Sequence, residues 1–478
     1  MKRRDTLKLG LLGTATLLVN PVFVRAALGS SDAEDPDPVV PPFSVPLTVP
    51  PTLKPASTDS TTDYYKIAMK PAAVEILPGR KTEVLTYAGT FPGPTIRARR
   101  GRRVLVTYTN QLATPAITHL HGGHVAADSD GYPMDALAPG GSKTDHYPNK
   151  QPAATLWYHD HAHHLDSEQV YRGLAGAYLL SDPAELRLPL PKGDYDIPLL
   201  IRDARFDSTG QLVYEHDDFA GRSTMLVNGR PQPNLVVKPC RYRLRLINAS
   251  NMGFYTLALS NGAAMAQIAA DGGLLAKPAA RTSLTLWPGE RAEVLVDFSA
   301  YPAGTKIVLE NLTPMSDPQK QVMQFEVGTG AAAASPAIPA TLAEPMELGT
   351  ETVTRKFVLS TDTAAVKFLI NGREFDPNRA DATIKRGSTE IWEITNSDTG
   401  VGIPHSMHLH ATHFKVLDRN GVPEPAYDAA PKDVVRIPAG DTVRIKATFD
   451  ASPGRYVFHC HFLDHNANMQ MGLMEIID

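Results

Sequence analysis

The stretch Val443-Arg-Ile-Lys-Ala-Thr-Phe449 alternates apolar and polar residues at every step. This period of two places the apolar side chains on one face of a β-strand and the polar side chains on the other. The same pattern recurs in Val104-Leu-Val-Thr-Tyr-Thr109, Tyr242-Arg-Leu-Arg-Leu-Ile247 and Ala292-Glu-Val-Leu-Val-Asp-Phe298. The sequence shows no long amphipathic helix. The chain is therefore predicted to be all-β and built from sandwiches.

Two proline-rich breaks divide these strands into three groups. The chain of 478 residues is too long for one ordinary core, so two to four domains are expected. The breaks lie at Asp182–Lys192 and Gly328–Pro345. They predict domains at 63–183, 184–330 and 346–478, each of a typical domain size.

The N-terminal region is predicted to be an export signal followed by an arm. Lys2-Arg3-Arg4 precedes a short apolar run from Leu7 to Val19, and small residues follow near Ala26. Residues 1–27 resemble a twin-arginine signal, with an ordinary secretory signal as the alternative. We therefore expect an exported protein, periplasmic or extracellular, with no stable membrane insertion of the mature chain. Residues 28–62, rich in Pro, Ser, Asp and Thr, are predicted to form an extended arm.

The composition excludes some partners. The charged and hydrophobic fractions, 21% and 42%, are those of a soluble globular protein. The net charge of -4 does not indicate nucleic-acid binding. The two cysteines, Cys240 and Cys460, make no disulfide framework, and Cys240 is expected to be a small buried residue.

The histidines cluster in closely spaced pairs. In a strand, residues i and i+2 point to the same face, so a His-x-His pair aims two imidazoles at one place. Four separated tracts could supply eight nitrogens, which is too many for one metal ion and suits a cluster of three. The five pairs are His119/His121, His159/His161, His161/His163, His408/His410 and His459/His461.

Cys460 indicates which metal is bound. It lies between His459 and His461, so its side chain faces away from theirs and must serve a second metal site. A thiolate with two histidines and a weak axial ligand is the blue-copper electron-transfer site. His405 fits as one of these histidines, because it lies an odd step before His408, and His465 fits as the other.

These tracts resemble the four copper motifs of multicopper oxidases, in particular those of bacterial spore-coat laccases and bilirubin oxidases. The resemblance covers nearly all of the chain after about residue 44, and it implies three cupredoxin-like Greek-key domains with a copper cluster between the first and third. The residues that carry it are His119-Leu-His-Gly122, Trp157-Tyr-His-Asp-His161, His405-Ser-Met-His-Leu-His410 and His459-Cys-His-Phe-Leu-Asp-His465, together with Phe91-Pro-Gly-Pro-Thr95, Tyr195-Asp-Ile-Pro-Leu-Leu-Ile201, Leu226-Val-Asn-Gly229 and Arg245-Leu-Ile-Asn-Ala-Ser-Asn251.

The resemblance implies four copper ions and assigns their ligands by position. Four further histidines, His124, His163, His164 and His413, lie outside the motifs and are expected to be supporting or surface residues. The implied ligands are His405, Cys460 and His465 for type 1 copper, His119 and His408 for type 2 copper, and His121, His159, His161, His410, His459 and His461 for the type 3 pair.

The sequence departs from the family pattern at two positions. The axial position of type 1 copper is often Met in relatives, but here it is Gln470, flanked by Met469 and Met471, any of which could serve. An acid usually follows the last type 1 histidine in bacterial relatives, but here Asn466 stands in its place and cannot act as an acid. We therefore expect Asp130, in the pair Asp130-Gly131, to carry more of the proton supply.

The leading functional hypothesis is a laccase-like oxidase. A phenol or aromatic amine would lose single electrons near His465, and dioxygen would be reduced to water at the three-copper cluster. The alternative is a metallo-oxidase that acts on Cu(I) or Fe(II). A cupredoxin scaffold without copper should have lost ligands, whereas all ten histidines and the cysteine of the motifs are present.

Overall fold

The structure is a computed structural model that describes residues 40–330, 335–400, 402–425, 427 and 430–478. In this part of the chain the strands form six sheets. They pack as three pairs, which are built from residues 57–181, 196–327 and 351–477. The predicted export signal at 1–27 and residues 28–39 of the predicted arm lie outside the described residues.

The first sandwich pairs a sheet of order β1-β2-β5-β7, with β3 also on β2, and a sheet of order β4-β9-β8-β6. Its core includes Ile67, Val106, Leu156 and Tyr178. Its elements are β1 Ser57–Thr58, β2 Thr62–Val74, β3 Thr82–Tyr87, β4 Gly93–Arg99, β5 Arg103–Asn110, β6 Thr118–His121, single turns at Ala127–Ser129 and Pro133–Asp135, β7 Ser142–Tyr147, β8 Ala154–Asp160, α1 Asp166–Tyr171 and β9 Ala175–Ser181.

The second sandwich pairs sheets of order β12-β11-β10-β14-β19-β16-β17 and β13-β21-β20-β15-β18. Cys240 is buried in its core, as expected for a small apolar residue. Its elements are α2 Pro183–Arg187, a turn at Gly193–Tyr195, β10 Asp196–Ala204, β11 Thr224–Val227, β12 Arg230–Pro231, β13 Asn234–Val237, β14 Arg241–Asn248, β15 Tyr255–Leu259, β16 Met265–Ala270, β17 Gly273–Arg281, β18 Ser283–Leu286, β19 Arg291–Asp297, β20 Lys306–Asn311, a turn at Asp317–Lys320 and β21 Gln321–Val327.

The third sandwich pairs sheets of order β23-β22-β25-β30-β27-β28 and β24-β32-β31-β26-β29. Its elements are β22 Glu351–Asp362, β23 Lys367–Ile370, β24 Ala382–Lys385, β25 Thr389–Asn396, β26 His405–Leu409, β27 Phe414–Arg419, β28 Val422–Pro423, β29 Val434–Ile437, β30 Thr442–Thr448, β31 Gly454–His459, α3 Leu463–Ala467 and β32 Met471–Ile477.

The histidine-bearing strands differ from ordinary half-buried strands. In β30 the apolar residues Val443, Ile445 and Ala447 are buried and alternate with more exposed polar residues, as the sequence predicts. In β8 and β26, by contrast, every residue is buried. One face of β26 packs into the core through Met407 and Leu409. The other face carries His408 and is buried as well, so both faces are withdrawn from water.

The described part of the predicted arm lies along the first two sandwiches. The N–H groups of Phe43 and Leu47 donate to the carbonyl oxygens of Gln232 and Asn234 of the second sandwich, both at 2.8 Å. The N–H of Leu53 donates to Thr95 of the first sandwich, also at 2.8 Å. The described part of the arm is thus hydrogen-bonded to both sandwiches. Its end is part of the sheets, because β1 and the first residue of β2 lie before residue 63.

The helices of the described residues are all short, and none is long and apolar enough to cross a bilayer.

Replacing both arm leucines by alanine should lower the stability of the protein. Leu47 packs against the core of the second sandwich and Leu53 against that of the first. Each is partly buried, so each truncation should cost about 1–2 kcal/mol. Calorimetry of the copper-loaded protein should show a lower unfolding temperature for Leu47→Ala/Leu53→Ala. Val49→Ala is the control, because Val49 is 44% exposed; an equal loss in that variant would contradict a packing role for the leucines.

Candidate metal centre

Sheet pairing brings the histidine tracts together within the first sandwich and within the third. On β6 and β8, His119 lies opposite His159. On β26 and β31, His408 lies opposite His459. The eight histidines predicted for the cluster are all at most 1% exposed, and their rings contact one another across the interface between the sandwiches. These eight are His119, His121, His159, His161, His408, His410, His459 and His461.

Three of the histidines converge on one point. The Nε2 atom of His459 lies 3.1 Å from Nε2 of His161 and 3.2 Å from Nε2 of His410. Such spacing between ring nitrogens fits a shared metal ion, and the three residues form one of the groups able to hold one. Their Nδ1 atoms point elsewhere: that of His459 contacts the carbonyl oxygen of Cys460 at 2.9 Å, and that of His410 contacts Asp130 at 2.7 Å.

A second set is formed by His121, His159 and His461. Nε2 of His461 lies 3.1 Å from Nδ1 of His121. His121 turns its Nδ1 to the cluster because its Nε2 contacts the Asp433 carboxylate at 3.0 Å. His159 turns its Nδ1 to the carbonyl oxygen of Asp160 at 2.8 Å, and its Nε2 meets no hydrogen-bond partner among the described residues. A buried ring nitrogen in that state is well suited to a metal ion.

The remaining pair is His119 and His408, whose Nε2 atoms lie 3.4 Å apart. Each ring is fixed from behind by a backbone carbonyl oxygen, that of Asp130 for His119 at 2.6 Å and that of Asp433 for His408 at 2.8 Å. Anchoring Nδ1 in this way leaves Nε2 as the ligating atom.

Cys460 and its two predicted histidine partners form a separate site. The Sγ atom lies 3.9 Å from Nδ1 of His405 and 3.7 Å from Nδ1 of His465. All three side chains are buried. His465 lies in α3, which returns the chain toward the sulfur. The ring of His465 stacks on Phe368 at 4.1 Å between ring centroids, so apolar groups shield this site from water.

Burial sets the protonation of these ligands. Desolvation lowers the pKa of His159 to about 3 and that of His408 to about 3, and it lowers the pKa of the other six cluster histidines as well. Near neutral pH they are therefore neutral imidazoles, the form that binds a metal. Burial raises the pKa of the Cys460 thiol to about 12. A metal ion must displace that proton, so binding at this site strengthens as pH rises.

Several supporting residues could not be found from the sequence. Asp433 contacts His121 and pairs with Arg291 at 2.5 and 2.6 Å. Burial opposes ionisation of Asp433, but Arg291 and His121 outweigh it and hold the pKa of that carboxyl well below its usual range. At the cysteine site, Asp398 contacts Nε2 of His405 at 2.8 Å, and the N–H of Ser406 donates to Cys460 Sγ at 3.4 Å.

The four histidines that lie near the motifs but outside them are placed beside the clusters. His413 donates from Nε2 to the carbonyl oxygen of Gly122 at 3.1 Å, and its ring lies 4.5 Å from that of His124. His164 contacts the carbonyl oxygen of Ala467 through Nδ1 at 2.8 Å, and its ring lies next to that of His163. Their contacts fit the predicted supporting role.

The sequence profiles of multicopper oxidases match residues 68–185, 203–315 and 343–477. The chain is 36% identical to a laccase of Bacillus subtilis, over 87% of this chain and 94% of that protein. This chain belongs to the multicopper oxidase family. It is also 36% identical to a bilirubin oxidase of Albifimbria verrucaria, over 85% of this chain and 75% of that protein. The structure of a multicopper oxidase from Campylobacter jejuni, described as a metallo-oxidase, superposes with a TM-score of 0.80 at 25% identity, covering 91% of this chain and 96% of that one.

Membership confirms the predicted family and the predicted fold class of three cupredoxin-like Greek-key sandwiches. The protein is a copper-dependent oxidoreductase that uses dioxygen as acceptor. Bound copper supplies one-electron redox chemistry, by which electrons pass from a donor to dioxygen. The residues also fit copper. The buried, neutral imidazoles of the cluster, and the sulfur and imidazoles of the Cys460 site, are donor groups that copper binds.

Gln470 is the one of the three axial candidates that faces the cysteine site. It is fully buried, and its Oε1 meets no well-aligned donor among the described residues. Burial lowers the pKa of His405, and Gln470 is close enough to that ring to oppose the shift together with Asp398. Met469 and Met471 instead pack in an apolar cluster with Tyr132 and Phe375.

Changing Gln470 to methionine should raise the reduction potential of copper bound at the Cys460 site. A thioether is a weaker axial donor than an amide oxygen and stabilises Cu(II) less. Redox titration of the blue absorption band would measure the shift. Met469→Leu serves as the matched control and should leave the potential unchanged; a shift in Met469→Leu instead would assign the axial role to Met469.

Asp130 lies against the cluster, as its predicted role requires. Its Oδ2 lies 2.7 Å from Nδ1 of His410, its Oδ1 lies 3.6 Å from Nδ1 of His119, and its side chain is 2% exposed. Burial raises the pKa of this carboxyl well above its ordinary value. Gly131 holds it there, because at φ +79 a Cβ would lie 2.4 Å from the carbonyl oxygen of Thr118.

Asp130→Asn should lower the rate of oxygen consumption by roughly a hundredfold, the usual effect of losing a positioned acid. The measurement is oxygen uptake at saturating donor, with reduction of the blue copper followed separately. Asp128→Asn, in the same single turn, should have no effect. Full oxygen turnover in Asp130→Asn would show that Asp130 does not supply protons.

Proposed function

We propose that this protein is a laccase-like oxidase with four copper ions. Type 1 copper is held by His405, Cys460 and His465. Type 2 copper is held by His119 and His408, and the type 3 pair by the two histidine triplets described above. Phenols or aromatic amines lose one electron at a time at type 1 copper, and dioxygen receives four electrons at the cluster. The residues 1–27 support export to the periplasm or cell exterior as part of the same proposal.

The observation that carries this proposal is the position of Cys460 between the two histidine triplets. Its sulfur belongs to the site of His405 and His465. Its neighbours in the chain belong to different triplets, His459 to that of His161 and His461 to that of His121. An electron that arrives at the sulfur can therefore reach either triplet through the bonds of one residue. No diffusing carrier is needed between the two sites.

The surroundings of His465, where an electron donor would bind, are more enclosed than the sequence suggests. His465 is 2% exposed, so its ring edge is not directly open to a donor. With Nδ1 toward Cys460, its Nε2 lies 3.8 Å from Oδ1 of Asp217, whose side chain is 30% exposed. We infer that a donor binds over Asp217 and passes its electron through the short gap to His465. The Oδ1 atom of Asp217, which is turned toward His465, is buried, so a phenol or an amine would reach the carboxylate from its exposed side.

The segment that covers His465 also supports a second candidate function. Glu215, His216, Asp217 and Asp218 follow one another there, and such carboxylates and imidazole suit a cation such as Fe(II). The similarity to a protein described as a metallo-oxidase agrees with this. A soft Cu(I) donor is less favoured, since Met469 and Met471 pack in an apolar cluster and Met474 is buried in the third core.

Oxygen uptake with an electron-rich phenol, Fe(II) and Cu(I) as separate donors tests the two functions. We expect the phenol to give the highest kcat/KM. Asp217→Asn should lower that value about tenfold, because the carboxylate that accepts the phenolic proton is lost. Asp194→Asn, at an exposed turn of the second sandwich, is the control. Much faster uptake with Fe(II) or Cu(I) would instead make the protein a metallo-oxidase.

A further inference from the structure

Asn466, which stands where relatives usually carry an acid, hydrogen-bonds to another carboxyl. Its Nδ2 donates to Oδ2 of Asp166, the first residue of α1. Both side chains are buried, with Asp166 at 1% and Asn466 at 3% exposed. The acid that the sequence lacks at position 466 is therefore present beside that position, supplied by the first sandwich.

The pair lies in a fixed contact between α1 and α3. Ser167 and Asp464 are joined by a hydrogen bond between their side chains, and His164 contacts the carbonyl oxygen of Ala467 at 2.8 Å. The backbone N–H of Ser167 also donates to Oδ1 of Asp166 at 3.0 Å. The carboxyl of Asp166 is thus held by two donors, one on each of its oxygens.

The charged groups around Asp166 favour its neutral form. Asp160 faces it from β8 and Asp464 from α3, and both are acidic. The nearby cation Arg222 pairs with Asp464 at 2.9 Å. The ion pairs of the described residues include none to Asp166. Burial first, and Asp160 second, raise the pKa of Asp166 well above its ordinary value, although Asn466 and Ser167 oppose this. Asp166 is therefore a buried acid whose surroundings favour the protonated form.

Asp166 also has the right neighbours for a role in oxygen reduction. Asp166 lies five residues after His161, a ligand of one triplet. Its N–H donates to the carbonyl oxygen of Ala162 at 2.9 Å. Its partner Asn466 follows His465 directly. The Oδ1 atom of Asn466 is buried and meets no donor among the described residues, so it can hold a water molecule beside the acid.

We propose that Asp166 supplies protons to the oxygen-reducing cluster in place of an acid at position 466, and that Asn466 orients its carboxyl. A proton leaves the carboxyl oxygen through water and reaches the oxygen that is being reduced. The carboxylate left behind keeps the hydrogen bonds from Asn466 and Ser167, and solvent then returns a proton to it. Each dioxygen takes four protons and four electrons and gives two waters; the electrons come from the donor, and Asp166 supplies protons alongside Asp130. This inference rests on the proposed copper cluster and not on the identity of the donor.

Three variants distinguish a role of Asp166 in proton supply from a purely structural role. Asp166→Asn should lower kcat for oxygen reduction about tenfold or more. It should leave reduction of the blue copper by the donor unchanged. Asp166→Asn/Asn466→Asp exchanges the two side chains, keeps an acid–amide pair and should recover most of kcat with a shifted pH profile. Glu168→Gln, half-exposed on the same helix, should behave like the unchanged protein.

An infrared measurement gives a readout independent of turnover. In the copper-loaded protein at neutral pH, one carbonyl band of a protonated carboxyl should be lost in Asp166→Asn and reappear at a different frequency in the exchanged variant, while any band of Asp130 stays in place. Absence of that band from the unchanged protein, or full kcat in Asp166→Asn, would overturn the proposal. So would a folded, blue exchanged variant that stays as slow as Asp166→Asn. A protein that binds fewer than four copper ions and shows no blue band would instead refute the proposed function.

Discussion

The buried contact of Asp433 with Arg291 and His121 is the interaction on which the geometry of the cluster depends. Asp433 belongs to the third sandwich, Arg291 to the second and His121 to the first. Arg291 also donates to the carbonyl oxygens of Thr155 and Asp271, both at 3.0 Å. Taking such charges out of water is costly, and here each is compensated by several hydrogen bonds. Because one carboxylate of the third sandwich contacts residues of the other two, a shift of the first sandwich against the third would disturb the contact that orients the imidazole of His121.

This arrangement explains why the ligands need so little local flexibility. Most of the cluster histidines are held on the side away from the metal by a fixed acceptor, such as the carbonyl oxygen of Asp130 for His119 or that of Asp433 for His408. The strands that carry them are buried on both faces, so neither the backbone nor the ring has room to move. The cluster is preorganised by backbone groups from two sandwiches, and copper binding therefore requires little rearrangement.

The sequence predicted those parts of the site that depend on local geometry. The period of two in a strand is enough to place His119 and His121, or His459 and His461, on a common face and Cys460 on the other. It could not predict the support of His121, because Asp433 is 312 residues away and no local pattern marks it. Asp217 and Asp166 were missed for the same reason, since each acts on a tract in another sandwich. The sequence also left three candidates for the axial residue. Which of them faces the cysteine site depends on the turn at Met469, whose φ is +75, and the spacing of residues alone does not predict that turn.

The short helix α3 carries residues that serve both the electron supply and the proton supply of oxygen reduction. Successive residues of a helix point about 100° apart, so neighbours in the chain reach different surroundings. His465 faces the cysteine site and, beyond it, Asp217. Asn466 faces Asp166, and Asp464 pairs with Arg222 of the second sandwich and fixes the helix. Electrons and protons are thus handled by adjacent residues with separate contacts. A change at position 466 can therefore alter proton supply while the ligand at position 465 keeps its place, which is how an acid could move from α3 to α1 without loss of the copper site.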